Sequence, residues 1–252
     1  MKAIVLAAGQ GARLRPLTDG MPKALVPFRG RPILEQILGA LTAAGIRDVV
    51  VVTGYRGDEI AALGVPTRPN PDFAATNMVH SLFCAQDWME DGALVVYGDI
   101  VFRSSIVRAL LEDPAPLAVA VNRRWRELWE LRMADPLTDA ETLRMDGQGR
   151  IVEIGKKPRS LDEVEGQYAG LIRMSGDAAR RVRNFYHGLD TRRLYDGKDF
   201  RNMYFTSFLQ EIADRLMPIQ AVPFDGGWVE IDSLSDLAAY ERLPADFFDE
   251  SP

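Results

Sequence analysis

Residues 6–25 read LAAGQGARLRPLTDGMPKAL. The apolar run before the break, Ala3-Ile4-Val5-Leu6, suits a strand buried on both faces, as in a parallel sheet. Gly9 and Gly11 then remove Cβ atoms where the chain must turn, so bare backbone N–H groups can approach an anion. Arg13, Arg15 and Lys23 add fixed positive charge around the same loop. A glycine turn after a first strand, followed by spaced Arg and Lys, is what a polyphosphate site needs. Gly9-x-Gly11 alone is a weak signal, because a dinucleotide fingerprint wants a third glycine and an immediate helix. Here Pro16 and Pro22 interrupt any helix, so the segment is predicted to be an extended loop over a ligand. The bland alternative is an ordinary strand-to-loop turn carrying solvated basic residues.

Composition narrows the classes. The chain has 252 residues, and one α/β domain with excursions fits that length. Hydrophobic content of 47% and charged content of 26% are ordinary globular values. A net charge of −6 argues against broad nucleic-acid or anionic-membrane binding. An anionic substrate therefore needs a local basic site, which the first loop supplies. The single cysteine, Cys84, precludes an intrachain disulfide and fits a reducing compartment. Its surroundings, Ser81-Leu82-Phe83-Cys84-Ala85, favour a buried structural thiol over a nucleophile. No run approaches the roughly 18 apolar residues of a membrane span, and the N-terminus lacks a signal-peptide pattern. The cytoplasm is the expected location.

The first half alternates strand and helix. Pro32 to Ala44 carries Ile33, Leu34, Ile37, Leu38 and Leu41 on one helical face. Asp48 to Val52 is a second buried strand, with Gly54 and Tyr55 just beyond its carboxyl end, where open α/β sheets bind ligands. Glu59 to Leu63 is a short helix. Thr76 is placed to cap a helix carrying Val79, Leu82, Phe83 and Trp88. Ala93 to Tyr97 and Leu117 to Val121 are further buried strands. This rhythm predicts a doubly wound, mostly parallel, Rossmann-like sheet. The second half predicts helices over Trp125–Met133, Asp177–Tyr186 and Phe205–Leu216. Its predicted strands are Gly149–Ile154, Tyr168–Met174, Ile219–Phe224 and Trp228–Ile231. Ser233, with Asp236 three residues later, resembles a capping box opening a last helix. The organisation expected is a single domain over residues 1–252. Within it, 1–122 form a nucleotide-binding core, and 123–252 complete the sheet and shape an acceptor site.

Asp99 follows Val95-Val96-Tyr97-Gly98, so its carboxylate belongs at a strand's carboxyl end. Asp232 follows Trp228-Val229-Glu230-Ile231 in a comparable position. Either Asp alone fits a cap or turn. As a pair they suit Mg²⁺, a hard cation that prefers oxygen ligands and phosphates. His80 and His187 sit in predicted helices, and no Ser-His-Asp order or zinc-ligand spacing stands out.

The glycine–arginine–lysine motif resembles the signature of nucleotidyltransferases that activate sugar 1-phosphates and related phosphorylated small molecules. The resemblance covers nearly all of the chain, and it implies that Asp99 and Asp232 hold a catalytic Mg²⁺. The run Glu230-Ile231-Asp232 departs from the commonest sugar version, leaving Glu230 as an extra ligand or an acceptor contact. A family lysine in a Lys-Pro context contacts the acceptor phosphate; Lys157 has the Pro neighbour, and Lys156 stays open beside it. Nucleotide contacts are expected from Leu6, Ala8, Gly9, Gly11, Arg13, Gly54, Tyr55 and Asn77, with Arg13 and Lys23 in catalytic roles.

Thr76 to Leu82 resembles the segment of cytidylyltransferases acting on phosphocholine and 2-aminoethylphosphonate. The run from Trp125 through Trp129 and Arg132 to Asp135–Glu141 is closer to the phosphoglutamine cytidylyltransferases of capsular phosphoramidate synthesis. So are Glu165-Gly166-Gln167-Tyr168 and Asn202 to Gln210. This implies CTP as donor and a small anionic or zwitterionic phosphorylated acceptor, phosphoglutamine ahead of the others. Trp125, Trp129 and Tyr168 would then stack on a cationic head group while Glu165 or Glu230 pairs with an ammonium; the alternative for each Trp is a core aromatic. Gln167 is expected to line the same site. Two other readings stay open: a sugar-1-phosphate uridylyl- or thymidylyltransferase, and a non-catalytic nucleotide-sensing subunit, against which the retained Lys23, Asp99 and Asp232 argue. The sequence does not fix whether the chain forms a homo-oligomer.

Overall fold

A computed structural model describes residues 1–249. Its centre is a sheet whose strands are numbered here in chain order: β1 Lys2–Ala7, β2 Val49–Thr53, β3 Thr67–Pro69, β4 Gly92–Tyr97, β5 Leu117–Asn122, β6 Gln167–Ser175 and β7 Gln220–Phe224. The spatial order is β7-β5-β6-β4-β1-β2-β3. β1 pairs in parallel with β2 and β4, as β2 does with β3 and β7 with β5. β6 runs antiparallel to both of its neighbours, β4 and β5. The sheet is therefore mixed but mostly parallel, and β6 brings the second half of the chain into its middle.

The near-continuous apolar runs follow from burial on both faces. Every residue of β2, β4 and β5 is buried, as is all of β1 after Lys2. Helix Ile33–Ala43 buries Ile33, Leu34, Ile37 and Leu41 as its apolar spacing requires. The helix over Ser104–Glu112, which the sequence reading left unassigned, buries Ile106, Val107 and Leu110.

Three local expectations are corrected. The helix Met78–Cys84 is capped by Asn77, not Thr76: Asn77 Oδ1 accepts from the Met78 N–H at 2.8 Å. Thr76 instead donates to the Asp72 carbonyl. That helix ends at Cys84, so Trp88 lies in a separate 3-10 turn, Gln86–Met89. Cys84 is half-buried, and its thiol donates to the His80 carbonyl at 3.5 Å. The late strand Trp228–Glu230 lies outside the main sheet and pairs antiparallel with Ile100–Phe102. Among the described residues no helix is long and apolar enough to cross a membrane.

Candidate active site

The glycine loop leaves β1 and passes through short 3-10 turns at Ala12–Leu14, Leu17–Asp19 and Lys23–Leu25. Gly11 has φ +66°, and a Cβ there would lie 2.9 Å from Lys23 Cβ. Only glycine lets the loop fold back against Lys23 in this way. The Thr18 hydroxyl donates to the Gly11 carbonyl at 2.9 Å, and the Tyr55 hydroxyl donates to that of Asp19. Tyr55 thus braces the loop from just beyond β2, but neither it nor Gly54, expected at the nucleotide, lines the cavity beside that loop, and Gly54 opens on a separate cleft with Thr53, Arg56 and Pro69. At the end of β4 the Gly98 N–H donates to the Leu6 carbonyl, and a Cβ on Gly98 would come within 2.5 Å of that oxygen. This close approach brings Asp99 to the mouth of the loop.

Backbone pairing also delivers the second carboxylate. Glu230 stands opposite Ile100, and the Ile231 N–H donates to the Asp99 carbonyl at 2.8 Å, so Asp232 arrives beside Asp99. Asp236 fixes its turn. One carboxylate oxygen of Asp236 accepts from both the Asp232 and Ser233 N–H groups at 2.9 Å, completing the capping box with Ser233. The other oxygen takes the Nε–H of Arg132, whose side chain is only 2% exposed.

Lys23 Nζ bridges the pair, 2.8 Å from Asp99 Oδ2 and 2.5 Å from Asp232 Oδ1. Arg13 approaches Asp232 at 3.1 Å from a largely exposed position. Burial weakens the Lys23 ammonium, but Asp99 and Asp232 outweigh it, and its pKa stays above the ordinary lysine value. Burial likewise opposes the charge on Asp232, while Lys23 and Arg13 hold its carboxyl below the usual range. Asp99 Oδ1 is buried without a hydrogen-bond partner.

Two cavities meet at this point. The first, about 410 Å³, is lined by Leu6, Ala8, Gly9, Gly11, Arg13, Lys23, Asn77 and Asp99 among others. The second, about 170 Å³, is lined by Trp129, Gln167, Tyr168, Glu141, Asp139 and Thr206 among others. Met78, Glu230 and Asp232 line both. A third, more open cavity holds Lys156 and Lys157 and shares Asp139, Glu141 and Tyr204 with the second.

Most residues singled out by sequence fall on these walls, and a few do not. Glu165 is exposed, with its carboxylate turned back to accept from the Met145 N–H. Trp125 is buried and meets Trp129 edge-on at 6.0 Å without lining any of these cavities. Trp129 stacks on Trp228, with planes 3° apart, and the Arg132 guanidinium lies 4.8 Å from its ring centre. Lys157 donates to the Leu137 carbonyl, and Lys156 pairs with Glu153 at 3.1 Å. Nothing in the sequence sets Glu141 and Asp139 apart from the rest of the run Asp135–Glu141. Arg132 stands just before that run, and nothing local shows that its partner is Asp236.

The arrangement sets a glycine loop, Arg13 and Lys23 beside two carboxylates, with a second cavity alongside. Residues 3–184 match the model of the MobA-like NTP transferase domain. The chain belongs to that nucleotidyltransferase family. It is 41% identical to a CTP:phosphoglutamine cytidylyltransferase of Campylobacter jejuni subsp. jejuni serotype O:2, over 94% of this chain and 98% of that one. It is 26% identical to a 2-aminoethylphosphonate cytidylyltransferase of Lancefieldella rimae, over 95% and 92%. The fold matches the inositol-1-phosphate CTP transferase from T. maritima with a TM-score of 0.75 at 24% identity, covering 98% of this chain and 93% of that one.

As a family member the chain has the nucleotidyltransferase class of chemistry, which typically uses Mg²⁺. Asp99 and Asp232 fit such an ion. Mg²⁺ takes one or two carboxylates together with substrate phosphates, and Asp99 Oδ1 is a buried oxygen still without a partner. Among the described residues no cluster of three or more His, Cys, Asp or Glu is placed to hold a metal by itself.

Proposed function

We propose that this chain transfers CMP from CTP to a small phosphorylated acceptor, phosphoglutamine first among them, with release of pyrophosphate. The observation that carries the reading is the meeting of the two cavities at Asp232 and Glu230, beside Lys23 and Asp99. The near full-length similarity to a phosphoglutamine cytidylyltransferase supports CTP as donor and that acceptor.

In this reading Gly9, Gly11 and Arg13 hold the triphosphate in the first cavity through backbone N–H groups and a mobile guanidinium. Leu6, Ala8 and Asn77 line the same cleft. Lys23 lies where charge gathers on the transferring phosphate and the departing pyrophosphate. The acceptor occupies the second cavity, with its phosphoryl end toward Asp232. Its attacking oxygen is already ionised, so no general base is required, and alignment with charge neutralisation does the work. Asp99 and Asp232 would hold Mg²⁺, which when bound would supply Lewis-acid stabilisation of phosphate oxygens. Lys156 and Lys157, in the outer cavity, meet an anionic acceptor on its way in.

Pyrophosphate release tests the reading, with CTP, UTP and dTTP each offered phosphoglutamine, 2-aminoethylphosphonate, phosphocholine and glucose 1-phosphate. CTP with an amine-bearing acceptor is the expected pair. Turnover of glucose 1-phosphate with UTP or dTTP, and none of the amines with CTP, would move the chain to the sugar enzymes. No release from any pair would return the non-catalytic reading.

A further inference from the structure

The second cavity is lined by carboxyl and amide side chains, and one of their acceptor oxygens has no donor. Gln167 Oε1 is buried in it without a partner, and Glu141 and Asp139 line the same wall. Glu230 adds a further carboxylate where this cavity meets the first. Burial raises the carboxyl of Glu141 above its ordinary range, with the Thr206 hydroxyl working the other way. Arg132 Nη1 lies 3.8 Å from Asp139 and 4.0 Å from Glu230, which leaves Glu141 without an ion pair among the described residues and Gln167 Oε1 without a donor.

Trp129 also borders the cavity. It is 1% exposed, and its Nε1–H has no acceptor. Its ring is engaged by the Arg132 guanidinium and by Trp228. It therefore presents no open aromatic face to a ligand.

A quaternary ammonium brings charge but no N–H, and it binds best against open aromatic faces. It would leave Gln167 Oε1 as bare as before. A primary ammonium brings both the charge and the donors. The geometry points to Glu141 and Gln167 as the residues that select an acceptor bearing a primary ammonium over one bearing a quaternary ammonium. This rests on the transferase reading above, with the acceptor in the second cavity.

The test uses phosphoglutamine together with its deamino and N,N,N-trimethyl forms. Binding to the full chain is measured by calorimetry, and turnover with CTP and Mg²⁺ by pyrophosphate release. The wild type is expected to bind phosphoglutamine at least ~30-fold more tightly than either relative, the range for a charge-assisted hydrogen bond. Glu141→Gln and Gln167→Leu should each shrink that preference to within about 3-fold, because each removes one of the selecting groups. Equal binding of the trimethyl form would overturn the proposal. So would a parallel loss for all three ligands in both variants, or no binding of phosphoglutamine. Selective binding without pyrophosphate release would sink the transferase reading and leave the selectivity standing.

Discussion

Lys23 Nζ and Asp232 Oδ1 stand 2.5 Å apart although 209 positions separate them in the chain. The same ammonium reaches Asp99 at 2.8 Å. Two carboxylates drawn together by strand pairing would repel each other in a partly buried site, and the chain's own lysine supplies the charge that holds them. A divalent ion bound at these carboxylates would compete with that lysine, and a triphosphate would offer it another partner.

Lys23→Met should therefore have two separable effects. kcat for nucleotide transfer should fall by about 10²-fold or more, with a smaller change in the KM for CTP, because the lost interaction strengthens in the transition state. Without nucleotide, the variant should bind Mn²⁺ more tightly than the wild type, which titration calorimetry measures. A rise in KM alone would make Lys23 a ground-state anchor. Unchanged Mn²⁺ affinity would show that the lysine and the ion do not compete.

Asp99→Asn keeps the shape of the side chain and removes its charge. We expect turnover to drop by about 10²-fold or more, with a melting temperature close to that of the wild type. The fold is held there by the Gly98 and Ile231 backbone bonds, which the substitution leaves intact. Full turnover at saturating Mg²⁺ would remove Asp99 from the mechanism.

What the sequence discloses about this site divides along a physical line. Strands such as Ala93–Tyr97 are legible because burial on both faces demands an unbroken apolar run. The glycine loop is legible because Gly11 and Lys23 must touch. Strand direction is not encoded in such a run, so nothing in Tyr168–Met174 distinguishes the antiparallel β6 from its parallel neighbours. Carboxylate partners are equally hidden. Glu165 precedes β6 and looks available, yet its side chain turns to the Met145 N–H, while Glu141 reaches the cavity from an irregular segment. The choice between Thr76 and Asn77 as cap is settled by a distant group, since the Asn77 N–H donates to the Arg201 carbonyl.

Arg132→Met tests the support behind Asp232. The substitution leaves Asp236 buried without its guanidinium, and breaking a buried pair from one side costs about 3–5 kcal/mol. Asp236 also receives the Asp232 N–H, so a loosened Asp236 should misplace the carboxylate at the reacting centre. Urea unfolding should show the loss of stability, and kcat should fall in conditions where the variant remains folded. A stable variant with normal kcat would confine Arg132 to packing against Trp129.

The last expectation concerns pH and the cavity carboxylate Glu141. Burial raises its carboxyl in the folded protein, with Thr206 only partly offsetting the effect. An acid whose pKa rises on folding binds its proton more tightly in the native state. Its contribution to stability is therefore fully present below the unfolded value and is lost as pH climbs through the folded one. At neutral pH the ionised Glu141 should weigh against the fold, and Glu141→Gln should raise the melting temperature. The gain should shrink as pH falls through the folded value and vanish toward about pH 4, where the wild-type carboxyl is largely protonated in both states. Scanning calorimetry of both proteins between pH 4 and pH 8 measures it (a range chosen to bracket the ordinary Glu value of about 4.3). A lower melting temperature for Glu141→Gln at pH 7 would mean that the carboxylate is satisfied by the protein itself. It would then have no need of a ligand's ammonium, and a stability gain bought at the expense of acceptor selectivity is what a binding carboxylate should show.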